Sequence, residues 1–370
     1  MRIGVFVACA GRRDGGPETY EIGLVRALAK VDRDNEYRIL CLSQAAADAF
    51  GLQQANVCFE ILRPRLRAIS FPVSLPLSLM REPVDILHAT VYPPLISPVD
   101  YVFTMHDVSP FVYPDNYPAG MRTRLKFLIG RGLRQAKQIV CVSEHARATT
   151  AEHCGIDPDR IAVIHHGIDP RFRPFPSDEA QDLVRQRYQI RAPYVLYVGK
   201  LTAPKNLDRM LEAFSLVHRD APELTLVLCG RRFWDSQFLD DAIARLGLRE
   251  CVVEPGYVPT EDLPLLYAGA TMSLYVSLFE GFGFPLVEAM ACGTPVVTSN
   301  VSCLPEVAGD GALLVNPNSV EEIADAMRRL HTDPALRATV REKGLARASA
   351  FTWDRTATKY LEVYRRASAR

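Results

Sequence analysis

What most constrains the fold of this chain is a rhythm. Short runs rich in Val, Ile, Leu, Tyr and Phe recur at residues 3–8, 37–42, 86–89, 101–105 and 138–142, with amphipathic stretches such as 19–30 between several of them. The pattern returns at 194–198, 224–229, 252–258, 271–276 and 295–299, with a helical stretch over 207–217. Strand-like runs alternating with amphipathic helices build a parallel sheet with crossover helices. Two such series in 370 residues predict two α/β domains. Ligands of parallel sheets sit at the carboxyl ends of the strands, so the residues just after each run are the ones to read for chemistry.

The richest of these stretches is 277–293, Ser-Leu-Phe-Glu-Gly-Phe-Gly-Phe-Pro-Leu-Val-Glu-Ala-Met-Ala-Cys-Gly. A strand at 271–276 feeds a glycine-aromatic turn; Pro285 is placed at the first helical position, where its missing N–H costs nothing, and Gly293 is the stop. Glu280 and Glu288 would lie roughly 12 Å apart along one continuous helix, too far for one ligand to use both easily. With the helix starting at Pro285, Glu280 falls in the preceding loop and Glu288 in the first turn, and both reach a molecule at the helix N-terminus. That terminus presents free N–H groups and partial positive charge, which suits phosphate. Two acids beside an anion site make sense as acceptors for hydroxyls, so the inferred ligand carries phosphate and sugars. Gly281 and Gly283 allow close approach to the backbone.

Other strand ends add to this. After 194–198, Lys200 and Lys205 stand in one loop and place two point charges on a diphosphate. After 295–299, Ser302, Cys303 and Leu304 lead into a helix whose start offers further N–H groups. In the first half, Gly15 and Gly16 precede a helix and open the backbone to a phosphate or an acceptor sugar. His106 and Asp107 end the 101–105 strand, His106 as a site residue and Asp107 as its support. No acid occurs between Asn116 and Ser143, while Arg122, Arg124, Lys126, Arg131, Arg134 and Lys137 surround Phe127, Leu128 and Ile129. Such a stretch, 122–137, reads equally as a solvated helix face or as a contact with anionic lipid.

Composition narrows the classes. Forty-three Lys and Arg balance forty-three Asp and Glu, which argues against a general nucleic-acid binder. The nine cysteines show no metal-ligand spacing, and several, Cys9, Cys141 and Cys229 among them, sit in apolar runs as buried thiols, pointing to a reducing compartment. The N-terminal run reads as a first buried strand rather than a signal, and no stretch approaches the roughly 18 apolar residues of a membrane span. A cytoplasmic protein, peripheral at most, is the expectation. The strings Asp32 to Asp34 and Asp157 to Asp159 end no strand and read as loop charges rather than a metal site.

The 277–293 segment resembles the E-x7-E motif of the retaining glycosyltransferases of family 4, and the similarity extends from the first strand to about residue 355. The resemblance implies a GT-B fold, two Rossmann-like domains facing each other across a cleft: acceptor domain 1–170, linker 171–190, nucleotide-sugar domain 191–350, and a helix over 351–370 that crosses back to the first domain. It implies that Glu280 holds donor-sugar hydroxyls, Glu288 the ribose hydroxyls, and Gly281, Phe282, Gly283 and Phe284 the phosphates. Tyr257 and Val258 would border the base, and His106 the donor sugar. Lys200, Lys205, His106 and Glu280 are thus the expected catalytic set. Relatives commonly carry Arg where Lys200 stands and Asn where His166 stands. No metal or cofactor is expected beyond the nucleotide sugar itself, since the lysines and the helix terminus suffice to neutralise a diphosphate. The wording of the motif is similar to bacterial mannosyltransferases of polysaccharide assembly, which implies GDP-mannose and a glycan or lipid-linked acceptor; UDP-hexose donors, a GT-B epimerase, a glycoside phosphorylase and a non-catalytic sugar-nucleotide sensor are the alternatives.

Overall fold

A computed structural model describes residues 1–12, 15–64, 70–114, 117–232 and 236–369. The chain divides into two compact units, one comprising Met1–Gly167 together with the chain from Thr352 onward, the other Ile168–Phe351.

The first unit is built on seven parallel strands, β1 (Arg2–Val7), β2 (Glu36–Cys41), β3 (Val57–Ile61), β4 (Ile86–Ala89), β5 (Tyr101–Met105), β6 (Gln138–Cys141) and β7 (Ile161–Val163), in the order β3-β2-β1-β4-β5-β6-β7. Strands β4 and β5 are buried along their whole length, as expected of apolar runs covered on both faces. The last helix, Trp353–Ser368, belongs to this unit and packs on the Gly16–Val31 helix. The fit is close at Gly23, where a Cβ would stand 2.1 Å from the Trp353 indole. Tyr20 Oη donates to Tyr360 Oη at 2.8 Å, Tyr364 Oη lies 2.7 Å from His88 Nδ1, and Thr356 Oγ1 donates to the His165 carbonyl at 2.9 Å. Burial drives the His88 imidazole down to about 3, so it is neutral and serves this network.

The second unit has six parallel strands, β8 (Tyr194–Val198), β9 (Thr225–Cys229), β10 (Val252–Gly256), β11 (Met272–Tyr275), β12 (Val296–Ser299) and β13 (Leu313–Val315), in the order β10-β9-β8-β11-β12-β13. Residues 171–190, expected as a linker, carry the helix Ser177–Tyr188, which packs on the helix Leu263–Gly269 within this unit. Gln181 Nε2 donates to the Gly269 carbonyl at 3.1 Å, and Tyr188 Oη to Asp262 at 2.5 Å. The division falls earlier, between Gly167 and Ile168. In each sheet the strand order reverses once, between β1 and β4 and between β8 and β11, and such reversal points are where parallel sheets seat ligands. Among the described residues no helix is long and apolar enough to cross a membrane.

Candidate functional site

At the reversal point of the second unit, the loops leaving β8 and β11 meet. The β8 loop turns once through Ala203–Lys205 and reaches Asn206, whose backbone is left-handed (φ 62°), a conformation Asn tolerates better than most residues. The buried Asn206 amide donates to the Val276 carbonyl at 3.0 Å and the Pro317 carbonyl at 2.7 Å, fastening one loop to the other. Lys205 Nζ consequently lies 2.5 Å from Glu280 Oε1, with both side chains largely withdrawn from solvent. Tyr275 Oη donates to that same oxygen at 2.5 Å. The Tyr275 ring stacks on Tyr197, and Tyr197 Oη donates to the Lys200 carbonyl at 2.9 Å. Ser302 completes the enclosure: its hydroxyl donates to the Glu280 carbonyl at 2.7 Å and accepts the Glu280 N–H at 3.0 Å. Lys200 itself is exposed at the rim of the loop.

The glycine-aromatic turn then enters the helix Phe284–Ala291. Gly283 caps it with φ 90°, a conformation that favours glycine, and a Cβ there would also press on Leu304 Cδ2 at 2.9 Å. Pro285 occupies the second helical position rather than the first, because the helix starts one residue earlier than expected. Glu288 therefore lies beyond the first turn, a correction with chemical weight. It is 7% exposed, accepts from Tyr267 Oη at 3.0 Å, and is raised to about 7, first by burial and further by the charge of Asp169. Phe282 is buried and packs edge-on against Phe284 and Phe351, so its ring serves the core; Gly281 is half-buried beside it. Leu304 is fully buried at the start of a five-residue helix, Leu304–Ala308, and Val258 is buried as well. Tyr257 is exposed, with the Arg231 guanidinium 4.9 Å from its ring centroid.

In the first unit, Gly15 (φ 77°) caps the Gly16–Val31 helix and Gly16 begins it; Arg13 and Asp14 of the same loop lie outside the described residues. The amides after β1 are claimed by the chain itself. Glu21, fully buried, accepts from the Ala8, Cys9 and Ala10 N–H groups at 2.7–2.8 Å, and Glu18 from the Gly11 N–H at 2.8 Å. Burial raises the Glu21 carboxyl, and those N–H bonds oppose the rise. Thr90 Oγ1 stands 2.7 Å from both Glu21 Oε1 and the Phe6 carbonyl oxygen. The Thr90 carbonyl lies 2.8 Å from His106 Nε2. A carbonyl only accepts, so Nε2 carries the hydrogen and Nδ1 is an acceptor. Burial lowers the His106 pKa, and its ring packs against Tyr20 and His166 at 4.7 and 5.4 Å. Asp107 Oδ1 accepts the Ser109 N–H at 2.8 Å and so shapes the turn that follows.

Comparison with known proteins bears on the whole chain. Residues 14–172 match the model "Glycosyltransferase Family 4" and residues 181–347 the model "Glycosyl transferases group 1". O-antigen chain mannosyltransferase B from Escherichia coli is 35% identical over 71% of this chain and 70% of that protein. The chain belongs to glycosyltransferase family 4. Serotype-specific mannosyltransferase WbdA, also from Escherichia coli, is 27% identical over 72% of the chain, which spans only 33% of that longer protein. Sucrose-phosphate synthase from Thermosynechococcus elongatus superposes with a TM-score of 0.80 at 20% identity, covering 99% of this chain and 98% of the other, and so shares the GT-B fold.

In this glycosyltransferase the structure thus joins Lys205 and Glu280 at the helix that Gly283 caps, and sets Glu288 within that helix. Sequence reasoning missed Tyr275 and Tyr267, which with the Ser302 hydroxyl, unrecognised in that role, hold the two glutamates, and it missed Glu21, which holds the loop after β1. The two Asp-x-Asp strings bind loop backbone: Asp32 Oδ1 accepts the Asp34 N–H and Asp157 Oδ1 the Asp159 N–H, both at 3.0 Å. Among the described residues no group of three His, Cys, Asp or Glu side chains is arranged to hold a metal ion.

Proposed function

We propose that this glycosyltransferase transfers mannose from GDP-mannose, with retention at the anomeric carbon, to a glycan or lipid-linked acceptor in bacterial polysaccharide assembly. The observation that carries the reading is the cluster of Lys205, Tyr275 and Glu280 beside the Gly283-capped helix, one cation and one anion held at a strand-order reversal. The choice of mannose is supported by the names of the relatives, both mannosyltransferases.

Departure of the nucleoside diphosphate builds negative charge on the leaving oxygen while the sugar becomes oxocarbenium-like. Fixed cations and N–H groups at the diphosphate stabilise that state most. Lys200 and Lys205 supply the cations; Lys205 has three donors, of which Glu280 takes one. With these and the helix terminus no metal or further cofactor is invoked. Glu280 accepts donor-sugar hydroxyls and Glu288 the ribose hydroxyls, while Tyr257, flanked by Arg231, borders the base. His106 is neutral, with Nδ1 as acceptor. Glu280 is assigned to binding by the family resemblance, and the departing phosphate, rather than a carboxylate nucleophile, takes the proton of the acceptor's hydroxyl. The helix Ala119–Gln135, with Met121 and Phe127 exposed among its arginines, meets anionic lipid at the inner face of the membrane, where such an acceptor resides.

Purified enzyme is tested for thermal stabilisation by GDP, UDP and their sugar conjugates, and for turnover of GDP-mannose against Lys205→Ala. Ligand at 100 times its Kd adds about 2.7 kcal/mol of stability. A GDP response, with turnover of GDP-mannose falling at least 100-fold in Lys205→Ala, is expected. A UDP response alone would replace the donor, and a trapped mannosyl adduct on Glu280 would overturn the mechanism.

A further inference from the structure

The carboxylate of Glu280 is held asymmetrically. Lys205 Nζ and Tyr275 Oη both sit 2.5 Å from Oε1, and among the described residues no bond is made to Oε2. Tyr275 ends β11, is 3% exposed, and lies against Tyr197 with ring centroids 6.3 Å apart and planes at 21°. Burial and the neighbouring Glu280 charge keep its phenol protonated, so it remains a donor. The Glu280 backbone is clamped by Ser302 on both its N–H and its carbonyl. With the backbone held, the two donors on Oε1 restrain the side chain, including its last torsion, which is otherwise broad for Glu.

We propose that Tyr275 is a positioning residue of the donor site: it fixes Glu280 so that Oε2 alone faces the donor sugar, and it keeps that orientation when Lys205 turns toward the diphosphate. The two partners of Oε1 differ in what else they can do. Lys205 is a flexible ammonium with two further N–H groups and is the natural cation for phosphate. Tyr275 is rigid, buried, and has one hydrogen to give, already given to Glu280. When the ammonium is shared with the donor, the phenol is the contact that does not move. The sugar-hydroxyl acceptor is then a single oxygen at a defined place, which selects for a hexose with a hydroxyl at the matching carbon. This inference rests on the reading of Glu280 as a donor-sugar ligand.

The test uses Tyr275→Phe, which preserves the ring stack and removes only the hydroxyl, with Glu280→Gln as reference. Each is assayed with GDP-mannose and with GDP-mannose analogues deoxygenated singly at C2, C3, C4 or C6 of the sugar. The parent enzyme is expected to penalise one deoxy donor sharply. Tyr275→Phe should lose roughly 10- to 100-fold in kcat/KM for GDP-mannose, the worth of one hydrogen bond to a charged group, and should lose most of its discrimination against that one analogue. A wholly structural role would lower all donors by the same factor, and that result, or parental kinetics in Tyr275→Phe beside an impaired Glu280→Gln, would overturn the proposal while leaving the donor reading intact. Parental activity in Glu280→Gln would remove the donor reading itself.

Discussion

Glu21 is the most exacting test of how the first unit is built. Its two oxygens divide the work: Oε1 takes the Ala8 N–H and faces Thr90 Oγ1, and Oε2 takes the Cys9 and Ala10 N–H groups. In Glu21→Gln the carbonyl oxygen can serve Cys9 and Ala10, and the new NH2 can donate to the Thr90 hydroxyl, which keeps the Phe6 carbonyl as its own acceptor. Only the Ala8 N–H is then opposed by a donor, at a cost of about 1–3 kcal/mol. In Glu21→Ala all three amides lose their acceptor, and about 3–6 kcal/mol is expected once water reaches some of them. For a unit of this size, 1 kcal/mol lowers Tm by about 2–4 °C, so the two variants should melt in the order Ala below Gln below parent, with Gln about 2–12 °C down. Amide hydrogen exchange gives the local readout. Ala8, Cys9 and Ala10 should lose protection in Glu21→Ala, while Gly11, held by Glu18, should change least. Equal melting of Gln and parent, or unchanged exchange at the three amides in Glu21→Ala, would refute the account.

Donor binding should also depend on pH through Glu288. With a folded value near 7 the carboxyl is partly protonated in the free protein at neutrality, and in the donor complex proposed above the ribose hydroxyls call for the ionised form, the stronger acceptor. Binding therefore expels a proton: GDP affinity should be nearly full at pH 8 and about tenfold weaker at pH 6, and Glu288→Gln should flatten the profile, as read by calorimetry across that range. On the Ala119–Gln135 helix, Phe127 is 60% exposed and Arg124 is exposed beside it. Phe127→Asp with Arg124→Glu should cut flotation with phosphatidylglycerol vesicles by tenfold or more, since each basic residue at such a surface is worth about 1 kcal/mol, without changing turnover on a water-soluble acceptor; unchanged flotation would leave this helix a solvated face.

Much of the sheet was legible because β1, β4, β8 and β11 are buried almost throughout and so read as unbroken apolar runs. The edge strands β3, β7 and β13 escaped notice. The last two are three residues long, and β3 is only partly covered, which leaves no continuous run to see. At the site, Lys205, Glu280 and Gly283 were recognisable from their spacing and resemblance, but Glu288 was set one helical position too early because Gly283 rather than Phe284 caps the helix. Tyr275 looks like one more aromatic in a strand, and Glu21 like an ordinary polar residue on an amphipathic helix. Each acquires its meaning from a partner elsewhere, an oxygen of Glu280 or the amides after β1, and no local pattern encodes that pairing.

The return of the Trp353–Ser368 helix to the first unit has a consequence for biosynthesis. Tyr20, His88 and Thr104 meet Tyr360 and Tyr364, which are synthesised only after the whole of the second unit. At about 5–20 residues per second, translation of Ile168–Phe351 occupies roughly 10–40 s, during which the first 167 residues hold an open seat lined with hydroxyls and an imidazole. A stop codon just before Trp353 would spare every strand of both sheets and still leave that seat empty. Loss of the final helix should thus register as chaperone dependence and proteolysis of the N-terminal half of the chain, far in sequence from the lesion.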